Sequence, residues 1–185
     1  GTKLDPNKGL TVVEIMNAIH ENIIKGMFVQ GENPAMSDPD QKHAREGFAM
    51  LDHLVVQDIF PTETAFFADV VLPASSQAEK LGTYTNTNRQ IQIGRPIVDL
   101  PGDSRQDWEV IVQIANRIGC GWDYKDISDV FKEMSQTMAS LDNISWDRLL
   151  EEDTVTYPSS GPKTPGQEIL LGEGFPTSSG KGKIV

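Results

Sequence analysis

Apolar residues at Val12, Ile15, Met16, Ile19 and Ile23 recur at intervals of three and four, which predicts an amphipathic helix. Thr11 stands where an N-cap belongs, and Glu14 three residues on completes a capping box. Gly26 ends that helix and opens a first strand, Gly26-Met27-Phe28-Val29-Gln30. Asp38-Pro39 reads as an N-cap with proline at the first helical position, predicting a second helix to about Leu51. Leu54-Val55-Val56-Gln57-Asp58 is nearly continuously apolar, as a strand buried in a parallel sheet would be. Thr62 caps a short helix through Phe67, and Val70 to Leu72 makes a third strand. Helix and strand thus alternate, the rhythm of an α/β fold with a mainly parallel, open sheet and crossover helices.

Beyond that point the pattern changes. Thr83 to Ile93 alternates polar with apolar residues and predicts a hairpin or an extended excursion. Asp103 or Ser104 starts a helix whose face carries Trp108, Ile111, Val112, Ala115 and Ile118, with Gly119 and Gly121 as stops. Two further helices are predicted over Ile127 to Met138 and Ser145 to Glu151. From Asp153 onward proline, glycine and serine are frequent and periodicity is slight. The expected organisation is an α/β domain over residues 1–152 and an irregular C-terminal tail, a linker or loosely packed segment, over 153–185.

Composition narrows the function classes. With 185 residues, 38% of them hydrophobic, and 16 glycines, this is ordinary globular material of about one domain. A net charge of -11 argues against nucleic acid or an anionic membrane surface as partner, though not against an anionic cofactor met by local donors. No apolar run is long enough to span a bilayer. Cys120 is the only cysteine, so neither an internal disulfide nor a cysteine-built metal cage is available, and a reducing, cytoplasmic setting is expected. The polar first residues carry no signal peptide, and without an initiating methionine the chain is expected to be a piece of a longer polypeptide. His20, His43 and His53 have no metal-site spacing, and no Ser/His/Asp or Cys/His arrangement emerges; no catalytic or metal-ligating residue is assigned.

Candidate chemistry gathers in the loops that follow strands, because ligands of open α/β sheets sit beyond the strands' carboxyl ends. In Gly31-Glu32-Asn33-Pro34, Gly31 lets a ligand approach the backbone and Asn33 can donate and accept, although an ordinary turn would use the same residues. Asp58 closes the second strand. Its carboxylate could accept the paired N–H donors of a guanine, or it could cap the turn toward Thr62. Gln57 could meet a base edge or loop backbone. Lys80 and Arg89, among Thr83, Thr85, Asn86, Thr87 and Asn88, are of the kind a pyrophosphate needs, while Lys80 could equally pair with Glu79 or solvent. Asp107, near the start of the Trp108 helix, complements the helix dipole. These residues by themselves support a ligand-binding α/β module.

The ordered segments Gly31-Glu32-Asn33-Pro34, Val56-Gln57-Asp58, Thr62-Glu63-Thr64-Ala65, Ala68-Asp69-Val70-Val71-Leu72-Pro73-Ala74, Glu79-Lys80, Gly82-Thr83-Tyr84-Thr85-Asn86 and Asp107-Trp108 resemble the molybdopterin-dinucleotide oxidoreductase family. Gly31 to Asp40, ending Ala-Met-Ser-Asp-Pro-Asp, is especially similar to its formate dehydrogenase α-subunit branch. The likeness is strong over Gly9 to Gly119 and looser beyond. It implies a Rossmann-like domain holding one of two molybdopterin guanine dinucleotides of a molybdenum or tungsten enzyme. By position Asn33, Gln57, Asp58, Lys80 and Asp107 match family cofactor contacts, with Gly31 as a backbone contact. Asp58 would then read the guanine and Lys80 would lie near phosphates or pterin.

The resemblance also implies what lies elsewhere. The iron–sulfur cysteines, the metal-ligating cysteine or selenocysteine and its neighbouring histidine belong upstream in the family, and a final cofactor-binding domain belongs downstream. The chain is accordingly expected to be inactive alone, with the other domains of the same subunit and electron-transfer subunits as partners. Two relatives of similar wording are alternatives: another molybdopterin oxidoreductase such as a nitrate reductase, or a non-catalytic electron-transfer scaffold like the large subunit of NADH dehydrogenase. A stand-alone nucleotide-binding module is a third.

Overall fold

Thr11 initiates α1 (Val12–His20) through a completed capping box: its N–H donates to Glu14 Oε2 at 2.6 Å and its hydroxyl accepts from the Glu14 N–H at 3.4 Å. In the computed structural model, which describes residues 5–184, the chain then divides into two units by its contacts. Unit 1 holds the described residues up to Ser76 together with Leu100–Asp107, and unit 2 holds Gln77–Asp99 and the chain from Trp108 on.

Unit 1 is built on β1 (Gly26–Gln30), β2 (His53–Asp58) and β3 (Val70–Pro73), paired parallel in that order. The helices α2 (Pro34–Ser37) and α3 (Gln41–Met50) lie between β1 and β2 in the chain, and a 3-10 turn, Ala65–Phe67, precedes β3. Alternation along each strand sends Val29, Leu54 and Val56 to one face. There they pack with Met16 and Ile19 of α1 and Ala44 and Phe48 of α3 into one buried cluster. Fully burying an aliphatic side chain of this size contributes roughly 1.5–3 kcal/mol. Gly47 lets the two helices approach: a Cβ there would stand 3.3 Å from His20 Nε2. The other face carries the row Phe28, Val55 and Val70, of which Phe28 is 41% and Val70 39% exposed.

Unit 2 carries an antiparallel sheet of β4 (Gly82–Thr85), β5 (Gln90–Gly94) and β6 (Thr154–Thr156) in that order. Its core gathers Ile91 and Val155 from the sheet, Phe131 from α5 (Ile127–Thr137), Leu149 from α6 (Trp146–Glu152), and Leu141 and Ile144 between those helices. The helix α4 starts at Asp107, the last residue of unit 1, and runs to Arg117.

Two arginines hold the chain that follows α6. Arg148, buried on α6, donates to the carbonyls of Asn143, Gly161 and Thr164, to the Ser159 hydroxyl and to the Glu152 carboxylate. Arg89, in the β4–β5 turn at a φ of 67°, donates to the carbonyls of Tyr157, Gln167 and Glu168. Gly166 lies so close to Thr156 that a Cβ would fall 1.7 Å from its carbonyl oxygen.

Several boundaries differ from the pattern's expectation, each for a local reason. The second predicted helix starts at Gln41 with Asp40 as N-cap, because the Asp38 carboxylate instead takes the Asp40 N–H at 2.9 Å and closes a turn. Asn33-Pro34, expected as a turn, opens the short α2. Thr62 caps nothing; Thr64 precedes the 3-10 turn, and its hydroxyl is engaged elsewhere. Neither Asp103 nor Ser104 starts α4, because the Ser104 N–H closes a turn on Pro101 O and Arg105 bridges to Ala74 beyond β3. Ile23 falls after α1 and is exposed.

Replacing Arg148 with alanine strips the donors from the Asn143, Gly161 and Thr164 carbonyls and leaves Glu152 without its partner. A loss of about 3 kcal/mol in urea-denaturation stability is expected. Arg148→Lys recovers little of it, because an ammonium cannot reproduce the planar fork.

Candidate functional site

Because β1, β2 and β3 run parallel, their carboxyl ends lie on one rim of the sheet, and the loops that leave them meet there. Gly31 leaves β1 at a φ of +63°, the left-handed region that suits glycine, and its N–H donates to Gln57 O on β2 at 2.9 Å. A Cβ at Gly31 would meet nothing within 4 Å, so the backbone faces open space at this point.

Asn33 sits between the loops. Its Oδ1 accepts two donors from Thr64, the N–H at 3.1 Å and the hydroxyl at 2.8 Å, and its Nδ2 donates to Glu63 Oε2 at 2.6 Å. The Thr64 hydroxyl in turn accepts the Ala35 N–H at 3.0 Å, inside a pocket where Thr64 and Ala35 are both fully buried. Arg45 Nε reaches the Ala35 carbonyl at 2.7 Å. The Asn33 amide holds the Glu63 carboxyl below its ordinary value, with a hydrogen bond from the Glu63 backbone and the Arg45 charge acting in the same direction.

Gln57 is the largest polar side chain buried in β2. Its Nε2 donates to Asp107 Oδ1 at 2.9 Å, joining two residues that stand 50 apart in the chain. Its Oε1 is buried without a partner, and the same holds for the hydroxyls of Thr62 and Ser104. Native proteins pair nearly all such atoms, so these ask for an account. Asp58 points its Oδ1 at the N–H of Ile59, 2.7 Å away, and is half-buried at the rim. Since Gln57 and Asp58 are successive in β2, their side chains leave opposite faces of the strand. An apolar groove of about 470 Å³ lies beside β1, lined by Met16, Met27, Phe28, Gln30 and Glu32 among others; Asn33, Gln57 and Asp58 do not line it.

The remaining sequence candidates belong to unit 2. Lys80 is half-buried two residues before β4. Arg89, paired with it in the sequence reading, is committed to backbone carbonyls of the following chain and is a structural residue. Among the described residues no cluster of three or more His, Cys, Asp or Glu is arranged to hold a metal ion, and Cys120 is exposed. Pattern reading overlooked Thr64 as a site residue. Its signals were its place in Thr62-Glu63-Thr64-Ala65, one of the segments that carry the family resemblance, and a second threonine that reads equally well as a helix start.

The Glu63 environment has a measurable consequence. A carboxyl whose folded pKa lies below its unfolded value contributes stability above the unfolded pKa, and that contribution is lost as pH falls through the folded one. An NMR titration of Glu63 is expected to give a midpoint below that of an ordinary glutamate, and Asn33→Ala is expected to move it back up. An unchanged midpoint in the variant would show that the Asn33 hydrogen bond is not the cause.

Comparison with known proteins adds what geometry cannot. The family model for molybdopterin oxidoreductase matches residues 2–117. The chain is 43% identical over 185 residues to the F420-dependent formate dehydrogenase subunit alpha of Methanocaldococcus jannaschii, covering 99% of this chain and 27% of that protein. It is 39% identical to a formate dehydrogenase subunit alpha of Methanococcus maripaludis, over 99% of this chain and 27% of the relative. The chain therefore spans about a quarter of the length of these relatives. Among solved structures, acetylene hydratase from Pelobacter acetylenicus is similar in fold, with a TM-score of 0.66 and 23% identity, over 91% of this chain and 23% of that one.

Proposed function

This chain belongs to the molybdopterin oxidoreductase family, and from that premise we propose that it is the guanine-dinucleotide-binding part of a formate dehydrogenase α subunit. The observation that carries the reading is the rim of the parallel sheet. A glycine opens the backbone there, an acidic side chain closes β2, and a fully buried glutamine keeps an acceptor atom unpaired. The identity to formate dehydrogenase α subunits supports the choice within the family.

The donor set fits a guanine dinucleotide. Asp58 Oδ1 takes the Ile59 N–H, and the carboxylate's other oxygen, with the remaining lone pair of the first, is available for the adjacent N–H donors of a guanine. Gln57 Oε1 and the Thr62 and Ser104 hydroxyls are buried polar atoms of the kind a ligand's donors and acceptors pair. Gln57 is oriented by Asp107, so the amide enters such a contact with one end already fixed. Gly31 admits the ligand to backbone distance. Asn33 is assigned to the same site as the residue between its two loops. Lys80, on unit 2, is assigned to a phosphate by its motif alone.

When bound, the cofactor's molybdenum or tungsten centre supplies the two-electron chemistry of formate oxidation. This chain's own residues bind and orient; none of them is assigned to the chemical step, and the isolated chain is proposed to be inactive. The iron–sulfur cluster, the metal ligand and the electron-transfer partners are assigned to other parts of the parent enzyme, in the cytoplasm. The row Phe28–Val55–Val70, exposed at both ends and half-buried at Val55, supports that assembly. All-parallel sheets ordinarily have both faces covered, and the other domains of the subunit are the cover proposed here.

The test is made in the parent enzyme. Asp58→Ala is expected to lower the guanine released per subunit after acid extraction by roughly tenfold or more, the effect of losing a charge-assisted pair of about 1.5–3 kcal/mol. Full guanine content in that variant would remove Asp58 from the site. The isolated chain is expected to oxidise no formate.

A further inference from the structure

The clasp between the loops after β1 and β2 has a use beyond holding the fold. We infer that Thr64 is a positioning residue: its hydroxyl, gripping Asn33 Oδ1 and the Ala35 N–H, sets the spacing of the two loops that flank the guanine-dinucleotide site. The inference rests on the reading of that site given above.

The Asn33 acceptor is fully used in the clasp. Asn33 Oδ1 has two lone pairs, and Thr64 fills both, through its N–H at 3.1 Å and its hydroxyl at 2.8 Å. A backbone N–H can only donate, so it fixes which end of the Asn33 amide faces Thr64, and the amide nitrogen is thereby turned to Glu63 Oε2 at 2.6 Å. The Asn33 carbonyl takes the Met36 and Ser37 N–H groups and so starts α2. Through these bonds a residue just beyond β1 is tied to one 31 positions later in the loop beyond β2. Gly31 lies two residues before Asn33 and is held to Gln57 O, while Asp58 and Thr62 lead into Thr64. The groups assigned to the ligand in unit 1 are thus carried on two loops whose separation the clasp determines.

This alters the part played by Asn33. Its side-chain acceptor is saturated and one of its two amide N–H groups is given to Glu63, so it braces the loops and keeps at most one N–H for a ligand. Thr64 is completely buried and its hydroxyl is engaged by Asn33 and Ala35, so its effect is exerted through the two loops. Valine would keep its shape yet leave the buried Ala35 N–H without an acceptor and Asn33 Oδ1 with one donor fewer.

The experiment uses the loaded parent enzyme and measures the metal and guanine retained per subunit after extended gel filtration, beside the thermal midpoint of the apoprotein. Thr64→Val is expected to retain roughly fivefold to tenfold less cofactor than the unaltered enzyme, the scale of one unsatisfied buried group. Thr64→Ser, which restores the hydroxyl, is expected to recover most of it. If Thr64→Val does not accumulate, Asn33→Ala, which breaks the clasp from its other side by removing the acceptor of the Thr64 N–H and hydroxyl, is read in its place. Retention equal to the unaltered enzyme in the tested variant overturns the inference. So does a Thr64→Ser protein as leaky as Thr64→Val, because the methyl and not the hydroxyl would then matter. Asp58→Ala run in parallel separates the two levels: if it keeps all its guanine, the reading of the site fails, whatever Thr64 does.

Discussion

Parallel pairing of β1, β2 and β3 is the constraint from which the rest of unit 1 follows. Strands that point the same way release their following loops on the same side, so Gly31, Asp58 and Ala74 all leave the sheet at one rim. An antiparallel arrangement would alternate these loops between the two ends. The parallel sheet requires chain to cross back between strands, and α2 with α3, and the 3-10 turn, are those crossings. Their apolar side chains supply the covering for Val29, Leu54 and Val56, so one arrangement both buries the face and gathers the loops.

Polar groups inside unit 1 are of two kinds. Thr64 and the Asn33 amide are satisfied by one another and by neighbouring N–H groups, so burying them is offset by hydrogen bonds in place of water. Gln57 is satisfied at its nitrogen alone, and Thr62 and Ser104 not at their hydroxyls. An unpaired buried polar atom costs on the order of 1–3 kcal/mol.

Unit 2 puts its cations to another use. Arg148 binds the Gly161 and Thr164 carbonyls, and Arg89 those of Tyr157, Gln167 and Glu168, in a segment that has little helix or strand of its own. A guanidinium suits this because its five donors lie in one fixed plane and can serve several carbonyls together. The stretch opens with β6, whose Val155 enters the core, and two residues that precede it in the chain hold carbonyls farther along.

Much of the fold was legible because it is local. The spacing of Met16 and Ile19, the Thr11–Glu14 box, the apolar run at Leu54 and the alternation after Thr83 express periods of 3.6 and 2 that neighbouring residues impose on each other. Local competition accounts for the boundaries that shifted: the Asp38 carboxylate took a nearer N–H, and Arg105 found a strand end to pair with. Strand order, the Gln57–Asp107 hydrogen bond and the Asn33–Thr64 clasp join residues tens of positions apart, and no window of sequence contains both ends. Residue types at Gly31, Asn33, Gln57 and Asp58 announced what chemistry was available. Tertiary structure alone decided which of their atoms would be spent on the protein and which left open, because a hydrogen bond is settled by distance and direction in space.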